Sequence, residues 1–423
     1  MKVSKKDVLE VLNDFLKFVK LCPSSYQTIE EIVSRCEDEG FVKIAEGCLK
    51  TKDKKVLTKG YVTRNDSSVI LFDIPKNVKN IKGFRIVSAH SDSPMFKLKE
   101  NADYAVSNYD LLNVEKYGGM ILQSFFDRPL GIAGRVVFED KNGELVSKNV
   151  NLEGPVCMIP NLPIHLSQKD KQGVSVQNEM QPIVADGPVL LKVAKKLKID
   201  KDKILGMDLF VVNNEDGKII GDGDFFMSPR IDDLECVYGG LKALLESEAD
   251  NYINVLAVFD NEEVGSLSRN GASSDFLIRT LKSLAKRLDI YEDFDRLTEE
   301  SFMISADNAH AFNPNYASRF DKVNRPIINK GVVIKYHGSL KYTTDAYTGA
   351  FVKKLCIDNN IDYQTYNNNS DVLGGSTLGN LVMSNFSVKS CDIGLAQFAM
   401  HSAYETAGGL DLLGYVKLLK SFY

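Results

Sequence analysis

The sequence predicts an α/β fold: a mixed, mostly parallel sheet sandwiched by helices, with a β-rich second domain inserted into it. Three observations carry this expectation. Apolar strand-like runs alternate with segments of helical period on either side of a central region. The region between about Asp92 and Met227 instead holds hairpin turn signals and one convincing helix. Ionisable residues also gather at the ends of the apolar runs, where α/β sheets place ligand sites. The expected division is 1–92 plus 228–423 for the α/β domain and 93–227 for the insertion.

Val8, Leu12, Phe15, Leu16 and Val19 repeat at helical spacing after Ser4, with Asp7 three residues on as in a capping box, and Pro23 stops the run. A second helix is expected over Thr28–Arg35. The pattern from Tyr61 to Ile74 is β, broken at Asn65-Asp66, and Phe84–His90 reads as a buried strand. In the insertion, Lys141-Asn142-Gly143 and Glu215-Asp216-Gly217 read as hairpin turns between apolar strands, and Gly187–Leu197 as the helix. The rest alternates. Helices are expected over Asp233–Leu245, Ser274–Leu288 and Asp345–Asp358 and from Leu410 onward. Strands are expected over Ile253–Phe259, Phe302–Ser305, Val332–Tyr336, Tyr363–Tyr366 and Cys391–Leu395. No internal repeat interrupts this order.

The 423 residues, 44% hydrophobic and 26% charged, suit a soluble globular chain with a core large enough to need no staples. Lys+Arg 52 against Asp+Glu 57 gives −5, and no basic stripe carries interleaved aromatics, so a nucleic-acid partner is not expected. Cys22, Cys36, Cys48, Cys157, Cys236, Cys356 and Cys391 are odd in number and lack C-x-x-C spacing, as suits free thiols in a reducing compartment. The N-terminus has no unbroken apolar segment of a signal peptide, and no stretch approaches a membrane span. A cytoplasmic protein is expected, without membrane attachment.

Three clusters and two single residues can carry chemistry. Ser88-Ala89-His90-Ser91-Asp92 places an imidazole and a carboxylate on one face of an extended segment; alone, His-x-Asp suits a structural histidine as readily as a metal ligand. Arg230-Ile231-Asp232-Asp233 precedes a helix, where an Asp is commonly an N-cap, and two in succession let one cap and the other reach elsewhere. Asp260-Asn261-Glu262-Glu263 crowds three carboxylates at a strand exit. This is either a solvated acidic turn or a cation site in which one Glu coordinates and its neighbour takes a proton from water. Asp307, after Phe302–Ser305, and His401, in an apolar setting, complete the set. Together these are the nitrogen and oxygen ligands that zinc, manganese or cobalt accept.

In order, SAHSDSP, SPRIDDL, FDNEEVGS, SADNAHAFNPNY, GGSTLG and FAMHS resemble the motifs of the aspartyl aminopeptidase family of dinuclear zinc metalloaminopeptidases. The resemblance spans essentially the whole chain and includes Phe126-Asp127-Arg128-Pro129-Leu130 and Pro163-Ile164-His165-Leu166 of the insertion. It implies a zinc-peptidase-like fold and two divalent metal ions per subunit, zinc first, with cobalt or manganese as substitutes. Asp232 would bridge both ions, His90 and Asp307 would hold one, and Glu263 and His401 the other. Glu262 would be the general base and Asp92 the residue behind His90. His165 would reach the active site of a neighbouring subunit. Lys335 and Tyr342 would line the pocket for the substrate's first side chain. His310 falls in a motif without being a ligand, and His337 is expected at the surface.

The resemblance thus implies removal of N-terminal residues, acidic ones preferred, from short peptides by a homo-oligomer, a dodecamer built from dimers. Lys335 is the only obvious cation for an acidic side chain, and the chain, which has no tryptophan, carries Ser124-Phe125-Phe126 where one is expected. A neutral or broad-specificity aminopeptidase is therefore the alternative within the same chemistry. An inactive structural assembly and a hydrolase of another amide are the alternatives outside it.

Overall fold

The computed structural model describes residues 4–47, 57–166 and 173–423. At its centre is a nine-stranded mixed sheet. Its strands lie in the order Val42–Lys43, Lys59–Arg64, Ser68–Asp73, Tyr252–Phe259, Gly83–His90, Phe302–Ala306, Lys389–Gly394, Val332–Lys335 and Tyr363–Tyr366. The middle run from Tyr252–Phe259 to Lys389–Gly394 is parallel, whereas Ser68–Asp73 and Val332–Lys335 pair antiparallel with its flanks.

Side chains alternate along these strands, so each strand feeds two cores. Val87, Ala89, Leu256, Val258 and Ile304 pack with the helices Lys5–Leu21, Ile231–Leu245 and Gly409–Phe422. Phe84, Ile86, Val255, Ala257 and Met303 pack with Phe276–Arg287 and with two short helices, Phe294–Glu299 and Leu378–Met383. The first helix starts as its cap signal predicts, the Asp7 N–H donating to Ser4 Oγ at 3.1 Å. The second is longer than expected, Ser25–Asp38.

A closed barrel is built from Met95–Val106, Tyr109–Tyr117, Leu130–Glu139, Leu145–Met158, Ile183–Val184 and Ile204–Asn213, around Phe96, Leu112, Ile132, Val150 and Leu209. Lys141-Asn142-Gly143 turns between two of its paired strands, as expected. Glu215-Asp216-Gly217 does not form a hairpin. The strand before it, Ile204–Asn213, pairs within the barrel, whereas Lys218–Ile220 after it pairs with Phe225–Ser228. Those two strands extend a separate five-stranded sheet with Glu405–Ala407, Ala396–Phe398 and Ala309–His310. An acidic-Gly turn between apolar runs signals a chain reversal but not which sheet receives the second strand.

The six described cysteines are free and buried; Cys48 lies outside the described residues. No helix among the described residues is long and apolar enough to cross a membrane.

Candidate metal centre

Three neighbouring parallel strands end at one edge of the central sheet, and each delivers polar groups there. Gly83–His90 ends on His90, which lies opposite Phe259 in the adjoining strand, so the turn carrying Glu262 and Glu263 starts beside it. Asp307 directly follows Phe302–Ala306. Asp232 stands in the irregular first turn of Ile231–Leu245, and His401 in the loop between Ala396–Phe398 and Glu405–Ala407.

These residues converge into three overlapping groups able to hold a cation: His90, Asp232, Asp233 and Asp307; His90, Glu262 and Glu263; and Asp232, Glu263 and His401. Asp232 links the ends, one carboxylate oxygen 3.5 Å from His90 Nε2 and the other 3.3 Å from His401 Nε2. His401 Nε2 is also 3.4 Å from Glu263 Oε1. The opposite ring nitrogens also face protein. His90 Nδ1 lies 3.0 Å from the Asp92 carbonyl oxygen and 3.4 Å from its carboxylate, and Gly119 adjoins His401 Nδ1, so closely that a Cβ there would lie 3.8 Å from it.

The Asp92 carboxylate also organises the acidic turn. It accepts the Glu262 and Glu263 amide N–H groups at 3.1 and 3.2 Å and the Tyr117 hydroxyl at 2.8 Å. Tyr117 also receives the Asn261 side-chain amide at 2.8 Å. The barrel backbone comes closer still at Gly118. It has φ +80, and a Cβ there would lie 3.1 Å from the Glu263 Cβ, so a side chain would be strained and crowd the site.

Like charges dominate the electrostatics. Burial, reinforced by Asp307, Asp92 and Asp232 and opposed by His90, pushes the Glu262 carboxyl up to about 8. Burial and Asp232 raise Glu263 well above the carboxylate range, and burial raises Asp307 despite Lys335. Burial would raise Asp232 too, but its contacts with His401 and His90 hold it well below that range. Asp232 Oδ1, Asp233 Oδ1 and Glu263 Oε1 are buried without a hydrogen-bond partner. Unpartnered carboxylate oxygens facing imidazole nitrogens are costly until a cation fills the space between them, so the residues present fit a divalent metal.

Of the other expected site residues, Lys335 is 3% exposed, with Nζ donating to the Asn308 carbonyl at 2.7 Å, 3.8 Å from Asp307 and 5.5 Å from the Tyr342 ring. Both thus adjoin the cluster. His165 is exposed, in a segment after the strand Leu145–Met158, and is in none of the clustered groups. His310 packs against Tyr366, and His337, half-buried rather than at the surface, packs edge-on to Tyr342. Sequence reasoning leaves Asp233 without an assigned role, and misses Tyr117 and the buried Glu405, which accepts the Asp232 and His401 amides. Asp233 lies within the motif SPRIDDL; nothing in the pattern around Tyr117 or Glu405 marks them.

The model of the aminopeptidase I zinc metalloprotease (M18) family matches residues 18–423. A probable M18 family aminopeptidase 2 of Clostridium novyi is 37% identical, covering 99% of each chain, and one of Pseudomonas fluorescens is 36% identical over 98% of each. Among solved structures, the chain resembles one in the cryo-EM structure of the Ape4 and Nbr1 complex, with TM-score 0.93 and 31% identity, covering 100% of this chain and 87% of that one. It also resembles the S. cerevisiae mApe1 dodecamer structure, with TM-score 0.83 and 25% identity, covering 97% and 95%. With a full-length match in sequence and in fold, this chain belongs to the M18 family of zinc metalloproteases and is a metalloaminopeptidase.

Proposed function

We propose that this protein releases the N-terminal residue of short peptides, with acidic residues preferred, using two divalent metal ions held across Asp232. The observation that carries this reading is the convergence of His90, Asp232, Glu263, Asp307 and His401 around unpartnered carboxylate oxygens, with Glu262 grouped with His90 and Glu263 beside them. Zinc bound there supplies Lewis-acid polarisation of the scissile carbonyl and acidifies the attacking water.

The remaining work falls to this chain's side chains. Glu262 takes the proton of the attacking water and returns it to the leaving amine. Asp92 holds the backbone of Glu262 and Glu263 while its carbonyl fixes the His90 tautomer. Asp307 offers a carboxylate to the substrate's free amine, which favours exopeptidase action. His165, in trans, opposes charge developing on the carbonyl oxygen. Its segment is anchored for such a reach: Asn161 N and Nδ2 donate to the two Asp127 carboxylate oxygens at 2.9 and 2.8 Å, while Leu162, Ile164 and Leu166 are exposed apolar side chains.

The barrel region, 93–227, serves as the oligomerisation domain inserted into the helix-sandwiched catalytic domain 1–92 plus 228–423. The assembly is a cytoplasmic dodecamer built from dimers, in keeping with the dodecameric state of the similar mApe1 structure.

One observation favours broader specificity: Lys335 already donates to Asn308 and faces Asp307, so part of its charge is neutralised inside the protein. Cleavage of Asp-, Glu-, Leu- and Lys-derivatised reporters decides between the readings. Faster turnover of Asp and Glu supports the acidic preference, and faster turnover of Leu replaces it with the broad one.

A further inference from the structure

Two of the clustered residues sit on irregular backbone with the same unusual partner. Asp232 lies two residues after Arg230, whose φ is +56, and has non-helical φ/ψ itself, while His401 has φ +68. Both donate to Glu405. Its Oε2 accepts Asp232 N at 3.1 Å, and its Oε1 accepts His401 N at 2.7 Å and the Gln397 side-chain amide at 3.2 Å. Glu405 is 2% exposed and opens the strand Glu405–Ala407, where it lies opposite Ser228, four residues before Asp232. One carboxylate thus cross-links the segment leading into Ile231–Leu245 to the loop that follows Ala396–Phe398.

We propose that Glu405 is a positioning residue for the metal centre, holding Asp232 and His401 in register so that, with Glu263, they meet one ion. The inference rests on the metal-centre reading above and adds a residue to it. Asp232 and His401 are 169 residues apart in sequence, and the ion would have to order both loops if nothing else did. A buried carboxylate shared by the two amides orders them beforehand. Residues that orient ligands in this way commonly contribute 10- to 100-fold, roughly, to metal affinity.

The test uses the full chain and three proteins: wild type, Glu405→Gln and Glu405→Asp. Zinc affinity is measured by competition with a chromophoric chelator, and melting temperature with and without zinc. Gln keeps the volume but offers a single acceptor oxygen, so an NH2 group faces one of the two amides. Asp keeps the charge but withdraws it by one methylene. The expected result is zinc binding about 10- to 100-fold weaker in both variants, with a smaller gap between zinc-loaded and zinc-free melting temperatures. Unchanged affinity in both would overturn the proposal, even with both melting temperatures lowered, because that marks a purely structural residue. Wild-type affinity in Glu405→Asp alone would overturn it too, since charge without position would then suffice. If Glu405→Gln does not fold, the Asp variant decides. Failure of the wild type to bind zinc would sink the metal-centre reading instead.

Discussion

The Tyr117 hydroxyl, at the end of a barrel strand, donates to the Asp92 carboxylate across 2.8 Å. Asp92 in turn accepts the amides of Glu262 and Glu263, so the barrel holds the acidic turn through Asp92 as well as through the direct Tyr117–Asn261 bond. Replacing Tyr117 by Phe removes a hydrogen bond to a charged group, with an expected loss of about 1.5–3 kcal/mol of stability. If the bond also positions Glu262, kcat falls from a few-fold to roughly 100-fold while KM stays near wild type. Steady-state kinetics beside a denaturant titration separate the two effects. An unchanged kcat would confine Tyr117 to stability.

Glu262→Gln keeps the shape and removes the base. Turnover should fall about 100- to 10,000-fold, the usual scale for a lost general base, with metal content unchanged by elemental analysis. Near-wild-type turnover would remove Glu262 from the proton-transfer role.

Removing the metal with a chelator should abolish activity and lower the melting temperature, because a ligand at 100 times its dissociation constant stabilises the native state by about 2.7 kcal/mol. Asp232→Ala should mimic the chelated state: it loses zinc, and zinc raises its melting temperature less than that of the wild type. Full zinc content in Asp232→Ala would show that this carboxylate is not shared between ions.

Lys335→Ala should raise KM for acidic reporters more than for neutral ones. An equal effect on both would mean that the ammonium acts only on Asp307 and Asn308 inside the protein.

Away from the centre, Asp411 offers a pH test. It is 1% exposed and accepts Asn329 N at 2.6 Å and Gly331 N at 2.7 Å. Burial pushes its carboxyl up to about 7, only partly opposed by these amides. A folded-state value above the unfolded one means that the native state binds the extra proton. Its contribution is therefore full below about pH 4 and is lost as pH rises toward and through 7. Melting temperatures from pH 5 to 8 should fall less steeply for Asp411→Asn than for wild type. Parallel slopes would contradict the assignment.

The sequence is most legible where one local pattern decides the outcome. Strand-end polar residues such as His90 and Asp307 are marked by the apolar runs before them, and the convergence of parallel strands at one edge then brings them together. It is least legible where long-range pairing decides: Ile204–Asn213 and Lys218–Ile220 flank a plausible hairpin turn yet join different sheets. The burial of Lys335 is illegible for a related reason. Its acceptor and counter-charge come from the segment holding Asp307 and Asn308, which no local pattern around Lys335 marks. Tyr117 and Glu405 act through backbone amides and a neighbouring carboxylate, and such partners leave no trace in residue order.

The most direct measurement is anomalous X-ray scattering at the zinc edge from crystals of the zinc-loaded protein. Two peaks about 3.5–4 Å apart, the usual spacing of two-metal catalysts, are expected on either side of Asp232. One peak bound by His90 and Asp307 and the other by Glu263 and His401 would complete the assignment. Full zinc loading with no density among these residues would contradict it.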